Sequence, residues 1–571
     1  MPASTVQSGG VCNENRNLDA PFCQDEQQGT PRFLRIRLIL VIGAAVFYCV
    51  ATYKITISKE PFIDEGWLAS PAYNLAFHGF MGTSVLEPTG SWLKGELKGI
   101  QQYTYWVMPL HLVTQAGWYR IFGFGLTQMR LLSATWGAIA LAAWYFIVER
   151  ITRNPLAGSL TVFLLAFDFT FLWSAADGRM DMMCVGLGSA ALASYLLLRE
   201  KHFQVAFLSA NCLTAASVFT HPNGVVWVAF LAILVLLYDR HNLRPRHLAA
   251  ITPYVALMAG WTSYIAKHPD YFLAQIFANS HAPGGTRGFG FLHPFVAVRK
   301  EVNRYIAHFS GGIWARPVPS HGILIPILLL VICIGAVIHY LKTREKALGV
   351  CLLLLAACLA LMTFGDSLKA HNYLGMIMPL YAATAAVWFS LSEFKGWGFY
   401  LRCGLIASLL IVQVSVLNYK LVFNTIQDDF EPTVAFLKSM PAAQITASSV
   451  FAFELGSDRV NDDIRLGMRS GRKPEVIVAD RWYELFWWRI FPDYDRESIL
   501  YVKNLICNQY HIVFVQGSYI VFQRNDTSSS VWDKPEQQRA GNPASITSFP
   551  IIWPPCVLAP PIHRAPPVGS R

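Results

Sequence analysis

The sequence predicts a polytopic α-helical membrane protein of about 11 spans, with juxtamembrane helices in its first outer loop and a small C-terminal α/β domain. Three observations predict this class: 54% of the residues are hydrophobic, only 14% are charged, and the mean hydropathy is +0.36. Soluble globular chains carry about 25% charged residues. The composition therefore excludes an ordinary soluble protein, and no basic stripe outside the apolar runs favours nucleic-acid binding.

Residues 1–32 form a polar segment that precedes the first apolar run. The segment is too long and too acidic for the start of a cleavable signal peptide, so the first run is expected to be an uncleaved signal anchor and the segment a disordered cytoplasmic tail. Apolar runs of spanning length recur through residues 33–420, the predicted transmembrane domain. The predicted spans are Phe33–Tyr53, Thr127–Val148, Pro155–Ala176, Met182–Leu198, Phe203–Thr220, Gly224–Tyr238, Leu248–Ala266, Gly322–Tyr340, Ala347–Phe364, Tyr373–Leu391 and Trp397–Leu417.

The segment Tyr103–Phe122 decides the topology, because it is long enough to span but contains His111, Gln115 and Arg120. Placed on the outer face as a juxtamembrane amphipathic helix, it leaves the loops after the even-numbered spans in the cytoplasm. Those loops are short and rich in Lys or Arg, as the positive-inside rule requires. They comprise residues 149–153, 199–202, 239–246, 342–346 and 393–395. The outer face then holds Lys54–Gln128, the turns 177–181 and 220–224, Lys267–His321, residues 365–372 and the tail from Asn418.

The tail is predicted to begin with a small extracytoplasmic α/β domain over residues 421–524. Thr433–Met440 has a helical pattern, and Gly517-Ser518 joins the last two predicted strands as a hairpin. The predicted strands are Ser448–Phe453, Glu475–Ala479, Ile512–Gln516 and Tyr519–Gln523. Residues 525–571 are rich in Pro and Ser, so disorder is expected there. Cys507 and Cys556 are candidates for a disulfide.

Asp64 and Glu65 are the first candidate site residues, because two adjacent carboxylates in an aromatic setting beside a bilayer are costly to place. They follow the first span within the sequence Phe-Ile-Asp-Glu-Gly-Trp. The alternative is a solvated loop that leads into a helix, since helix N-termini favour acids.

Further polar residues fall on the same predicted side of the membrane, and each has a structural alternative. Arg179 and Asp181 form either a binding pair or an interfacial ion pair that caps a span. His221 belongs to a His-Pro-Asn-Gly turn, and Lys369 and Tyr373 open a span where snorkelling is the alternative. Asp168, inside a span, receives no role. Together, carboxylates, cations and a histidine on one face predict a site that takes a lipid-anchored substrate.

The order of these features resembles the GT-C superfamily of membrane glycosyltransferases, most closely the protein O-mannosyltransferase and aminoarabinose-transferase-like branch of bacterial inner membranes. The resemblance covers residues 33–420 as a pattern of spans and short motifs. Many relatives have a Pro-Pro-Leu or Lys-Pro-Pro run where this sequence has Tyr105–Leu110. The Lys and the first Pro are missing here, and Lys94 or Lys98, slightly upstream, is a candidate substitute. The matching positions are Asp64-Glu65, Asn74-Leu75-Ala76, Gly79, Tyr105–Leu110, Phe122-Gly123, Arg130, Ser174, Arg179, Asp181, His221–Gly224, Lys369, Tyr373-Leu374 and Pro379.

The resemblance implies an inverting transfer of a hexosyl or pentosyl group from a polyprenyl-phosphate donor to a lipid, glycan or protein acceptor. Asp64 would be the base and Glu65 its neighbour at the acceptor. The donor and its phosphate would be bound by Arg179, Asp181, His221, Lys369 and Tyr373. Some members hold a divalent cation at positions matched by Asp64 and Asp181, but most of this branch works without metal, so none is expected. A lipid-linked sugar flippase and a non-catalytic membrane scaffold are the alternatives.

Overall fold

The structure, a computed structural model, describes residues 31–91, 93, 95–280, 290–311, 318–366, 369–391, 396–441 and 444–525. The predicted N-terminal tail up to residue 30, the loop 393–395, Lys94 and the tail beyond residue 525 lie outside them. The helices before the C-terminal domain are α1 (Pro31–Ser58), α2 (Ile63–Phe77), α3 (Pro109–Phe122), α4 (Leu126–Thr152), α5 (Pro155–Ala166), α6 (Phe169–Ala175), α7 (Met180–Leu198), α8 (Phe203–Thr220), α9 (Val225–Tyr238), α10 (Thr252–Ile265), α11 (Pro269–Ser280), α12 (Pro294–Ser310), α13 (Leu324–Thr343), α14 (Lys346–Phe364), α15 (Met378–Ser390) and α16 (Trp397–Leu421). Short 3-10 turns extend several of them, at Pro222–Gly224, Arg240–Asn242, Pro245–Ile251, Gly290–Leu292, Ser320–Ile323 and His371–Met376.

The chain is a multi-pass membrane protein, as predicted. Within the described ranges, nine helical segments are long and apolar enough to cross a membrane. The α5–α6 pair, bent by 69°, raises the number to ten. The remaining predicted run, Gly224–Tyr238, the sixth along the chain, is also helical, but the apolar segment Pro222–Tyr238 is shorter than the others. The expected number of about eleven therefore becomes nine or ten by length and composition.

Asp168 lies at the bend between α5 and α6, and its hydrogen bonds stabilise the break between the two helices. Its carboxylate accepts hydrogen bonds from the Phe171 backbone N–H at 2.7 Å and from Gln413 Nε2 at 2.5 Å. Gln413 Oε1 in turn accepts from the Phe169 N–H at 3.0 Å. A broken helix is tolerated inside a membrane protein only where side chains satisfy the freed backbone groups. Asp168 therefore has a structural role.

The segment that decides the topology is helical only from Pro109, a residue favoured at the first helical position. The helix α3 has 14 residues, which corresponds to about 21 Å at 1.5 Å per residue. This is shorter than the ~30 Å hydrocarbon core of a bilayer. Its buried face carries His111 and Gln115, and it packs against α2.

The long outer loop Lys267–His321 contains two helices, α11 and α12, which the sequence analysis did not predict. The amphipathicity of α12 is inverted. Its exposed residues include Phe295 and Val302, whereas Glu301 and Arg304 are buried against the rest of the protein. An apolar outer face with a polar inner face is typical of a helix that contacts lipid.

The C-terminal domain has a five-stranded sheet in the order β2-β1-β3-β5-β4. The strands β1, β2 and β3 are parallel, and β3, β5 and β4 are antiparallel. The strands are β1 (Ile445–Thr446), β2 (Val460–Asn461), β3 (Val476–Ala479), β4 (Tyr510–Gln516) and β5 (Tyr519–Arg524). The helices are α17 (Glu431–Ser439), α18 (Ala452–Leu455), α19 (Arg481–Leu485), α20 (Phe491–Tyr494) and α21 (Arg496–Gln509), with further turns at Ile426–Phe430, Ser449–Phe451 and Phe486–Ile490.

Three of the four predicted strands, the hairpin and the helix Thr433–Met440 are confirmed. The predicted strand Ser448–Phe453 is wrong, because that segment is a 3-10 turn followed by α18. Its start is held by tertiary contacts: the Ser449 N–H donates to Asp462 Oδ2 at 3.0 Å, and Ser449 Oγ donates to the Ile63 carbonyl at 3.1 Å. Cys507 is disulfide-bonded, and Cys556 lies outside the described residues.

Candidate functional site

Asp64 and Glu65 lie in the first turn of α2, so the helix-terminus alternative describes their location correctly. Their environments nevertheless differ. The Glu65 side chain is 0% exposed, whereas 27% of the Asp64 side chain is exposed. Adjacent residues on a helix point about 100° apart, and here that divergence buries one carboxylate and leaves the other partly exposed.

Both carboxylate oxygens of Glu65 are engaged in hydrogen bonds within the protein. Its Oε1 accepts from Arg130 Nε at 2.7 Å and from the Gly178 N–H at 3.0 Å. Its Oε2 accepts from Arg130 NH2 and from the Phe62 N–H, both at 2.7 Å. Burial opposes ionisation, but the charge of Arg130 and these hydrogen bonds outweigh it and hold the pKa of the Glu65 carboxyl below its usual value.

Arg179 joins the exposed carboxylate to Asp181. Its NH1 pairs with Asp64 Oδ2, and its Nε donates to Asp181 Oδ2 at 2.8 Å. The same guanidinium lies 5.6 Å from the centre of the Phe62 ring. The Arg179 guanidinium therefore lies between Asp64 and Asp181, and among the described residues no group of three or more His, Cys, Asp or Glu side chains is arranged to hold a metal ion.

His221 and Tyr373 complete this cluster. His221 Nε2 lies 3.8 Å from Asp181 Oδ1, and His221 Nδ1 accepts from the Asn223 N–H at 3.0 Å. The rings of His221 and Tyr373 meet edge to face with centroids 5.0 Å apart. Four predicted donor-site residues, Arg179, Asp181, His221 and Tyr373, therefore come together beside Asp64.

Lys369 is the predicted residue that the structure does not bring into the cluster. Its ammonium donates to the carbonyls of Met362 and Thr363, at the C-terminal end of α14, and lies 3.2 Å from Glu301. Glu301 also pairs with Arg304, a residue of α12. Cations near helix C-termini are stabilising. Lys369 thus ties α14 to α12, a role different from both phosphate binding and snorkelling.

Two lysines that the sequence analysis did not select lie near the cluster. Lys59 pairs with Asp177, and its Nζ lies 4.9 Å from the centre of the Trp173 ring. Lys420 Nζ lies 4.4 Å from the centre of the same ring. Both lysines and Arg179 interact electrostatically with His371. A signal for them existed in the sequence: each is at the predicted outer end of a span, where the positive-inside rule disfavours lysine.

Asp480 caps the N-terminus of α19. This helix belongs to the C-terminal domain and contacts the first outer loop. The Asp480 carboxylate accepts from the N–H groups of Trp482 at 3.0 Å and Tyr483 at 2.9 Å. Burial raises the pKa of Asp480 from 3.8 to about 7, and the carboxylates of Glu60 and Asp462 contribute to the increase. The folded protein therefore holds this proton more tightly than the unfolded chain. The resulting stabilisation is present at low pH and is lost as the pH rises from 3.8 toward about 7.

Asp480→Asn is expected to raise the apparent melting temperature of the purified protein more at about pH 8 than at about pH 5. Asparagine caps helices about as well as aspartate but carries no buried charge. Thermal unfolding at both pH values measures the effect, with Asp270→Asn, a change at an exposed carboxylate of α11, as the control. An increase that is the same at both pH values would contradict the prediction.

The chain as a whole is similar in fold to solved protein structures. No protein-family model and no curated protein sequence matches it. The structure is similar to ArnT from Cupriavidus metallidurans bound to undecaprenyl phosphate, with 14% identity and a TM-score of 0.55 over 85% of this chain and 97% of that one. ArnT in the apo state matches with 15% identity and a TM-score of 0.54 over 86% and 98%. The apo oligosaccharyltransferase of Archaeoglobus fulgidus matches with 10% identity and a TM-score of 0.50 over 88% and 75%. At these identities the similarity establishes the fold: the chain has the GT-C fold that its sequence motifs predicted.

Proposed function

We propose that the protein is a membrane glycosyltransferase that moves a sugar from a polyprenyl-phosphate donor to an acceptor at the outer face of the inner membrane. The observation that carries the proposal is the partly exposed Asp64 carboxylate, paired with Arg179 at the centre of the outer-face cluster. In a GT-C fold this arrangement offers a proton acceptor directly beside a cation. General-base catalysis and stabilisation of a leaving phosphate need those two groups.

The donor class is supported by the fold and by the charges around the cluster. The ArnT structure of the same fold contains undecaprenyl phosphate. In this chain the charges of Arg179, Lys59 and Lys420 all act on His371. Three cations at the outer ends of spans suit a phosphate whose lipid chain lies in the bilayer.

The reaction is a single displacement with inversion. Asp64 accepts the proton of the acceptor hydroxyl or amine, and the acceptor atom bonds to the anomeric carbon. The bond from that carbon to the phosphate oxygen breaks, and its electron pair leaves with the polyprenyl phosphate. Arg179 faces both events, because it pairs with Asp64 and is a candidate partner for the phosphate. Its present contacts with Asp64 and Asp181 hold the guanidinium in place for this role.

A flippase for a lipid-linked sugar is disfavoured by the depth of the ionisable groups. Transporters place such groups near the bilayer midplane. Here Asp64, Arg179 and Asp181 lie at the ends of helices, and Asp168, inside a broken span, is hydrogen-bonded within the protein. A non-catalytic scaffold would not need the Asp64 carboxylate.

The direct test uses the purified protein in liposomes that contain a polyprenyl-phosphate sugar. Mass spectrometry of the lipids is expected to show free polyprenyl phosphate accumulating when an acceptor extract is added. A flippase would leave the sugar–phosphate bond intact, and a scaffold would leave the donor unchanged on both leaflets. Either of those results would overturn the proposal.

The orientation is expected to follow the loop charges, with the cluster and the C-terminal domain on the periplasmic side. A disulfide at Cys507 favours this side, because disulfides persist in oxidising compartments. Single cysteines introduced at the exposed residues Arg244 and Lys342 should react from the cytoplasm. Cysteines at the exposed residues Glu96 and Asp458 should react from outside. Labelling of positions 96 and 244 from one side would contradict this orientation.

A further inference from the structure

The first outer loop is in contact with the C-terminal domain. Phe62, two residues before Asp64, meets the Trp482 ring edge to face with centroids 4.5 Å apart. Trp482 Nε1 also donates to the Pro61 carbonyl at 3.3 Å. One domain side chain thus contacts both the backbone and an aromatic ring of the segment that leads to Asp64.

The start of α2 is fixed by two more domain residues. Ser449 Oγ donates to the Ile63 carbonyl at 3.1 Å, and Trp67 Nε1 donates to Asp462 Oδ2 at 2.8 Å. Gly66 lies so close to Ser449 that an added Cβ would be 2.4 Å from its backbone carbon. The turn bearing Asp64 is therefore held at residues 61, 62, 63, 66 and 67 by the domain.

The contacts continue from Trp482 to the site itself. The ring of Phe62 touches Trp482 on one side and lies under the Arg179 guanidinium, which pairs with Asp64. Within the described part of the chain Asp64 pairs with Arg179 and not with the domain, so an effect of the domain on this carboxylate passes through the loop. A displacement of about 1 Å in a reacting group can cost about a hundredfold in rate.

We propose that the C-terminal domain is a working part of the catalytic site, with Trp482 as a positioning residue that fixes Phe62 and thereby the Asp64–Arg179 pair. The kinetic consequence of this inference rests on the proposed glycosyl transfer. Its structural content, the immobilisation of residues 58–68 by the domain, is independent of that activity.

The kinetic test compares Trp482→Leu with Trp482→Phe in full-length protein in liposomes. Trp482→Leu is expected to lower kcat by roughly tenfold or more with little change in the KM for the donor, because geometry and not affinity is lost. Trp482→Phe keeps an aromatic edge against Phe62 and is expected to recover part of the rate. Combined with Phe62→Leu, Trp482→Leu should cost less than the product of the single effects.

The matched control is Phe514→Leu, which removes one ring of the stacked Phe436–Phe514 pair between α17 and β4 of the same domain. This change is expected to leave kcat near that of the parent. A Trp482→Leu variant no worse than this control, or one altered only in KM, would overturn the inference.

Hydrogen exchange supplies a readout without catalysis. Deuterium uptake by the peptide covering residues 58–68 is expected to rise in Trp482→Leu and to stay at the parent level in Phe514→Leu. Equal uptake in all three proteins would overturn the inference whatever the activity. Failure of the proposed function has a different signature: the parent transfers no sugar, or Asp64→Asn transfers it normally, while the exchange difference at residues 58–68 persists.

Discussion

Asp64→Asn is expected to lower the rate of sugar transfer by roughly a hundredfold or more, the range for loss of a positioned general base. The amide has nearly the same shape, and its oxygen can still accept from Arg179. It has no basic site for the acceptor proton, however. Insertion and donor binding should be largely unchanged, because 27% of this side chain is exposed and Arg179 keeps its bond to Asp181.

The measurement is transfer from a polyprenyl-phosphate sugar in liposomes with matched amounts of folded protein. Asp270→Asn is the control, because Asp270 is an exposed outer-loop carboxylate paired with Lys98. It should transfer at the parent rate. Near-normal transfer by Asp64→Asn would remove this residue from the chemistry and leave the cluster with a binding role at most.

Much of the architecture could be predicted because it depends on strong local signals. The spans follow from apolar length, and the Gly517-Ser518 turn with its flanking strands gives the hairpin. The same topology argument placed the turns of Arg179, His221 and Tyr373 on one face, and the structure brings their side chains together. Residues that are far apart in sequence were thus associated without knowledge of any contact.

The remaining features depend on tertiary contacts that the sequence does not contain locally. The stretch at Ser449 has the composition of a strand, but the hydrogen bonds to Asp462 and Ile63 favour a turn. The position of Lys369 at the end of a span groups it with the cations of the cluster. Its partner Glu301 lies on α12, a helix within a segment predicted to be a loop, so the sequence does not indicate this ion pair. The resemblance selects Asp64 as the first-loop acid. It also includes Arg130, but it does not identify this residue as the partner of Glu65.

Glu65→Gln is expected to have the largest effect on stability, because it breaks a buried ion pair by removing one partner. Such losses cost about 3–5 kcal/mol. The two carboxylate oxygens of Glu65 accept four hydrogen bonds, whereas an amide has only one acceptor oxygen. The amide NH2 group would also face the donor groups of Arg130 and of the nearby backbone. Arg130 would keep its bonds to the carbonyls of Thr56 and Lys59, but its charge would be buried without a counterion.

The apparent melting temperature and the yield of monodisperse protein in detergent measure this effect. Arg130→Met should be destabilising as well, and the double variant Glu65→Gln/Arg130→Met should lose less than the sum of the single losses, since neither charge is then left alone. Transfer per folded molecule should fall less in Glu65→Gln than in Asp64→Asn, because the Glu65 side chain is 0% exposed and its carboxylate is paired with Arg130. A Glu65→Gln protein that melts like the parent and transfers no sugar would instead move the base from Asp64 to Glu65.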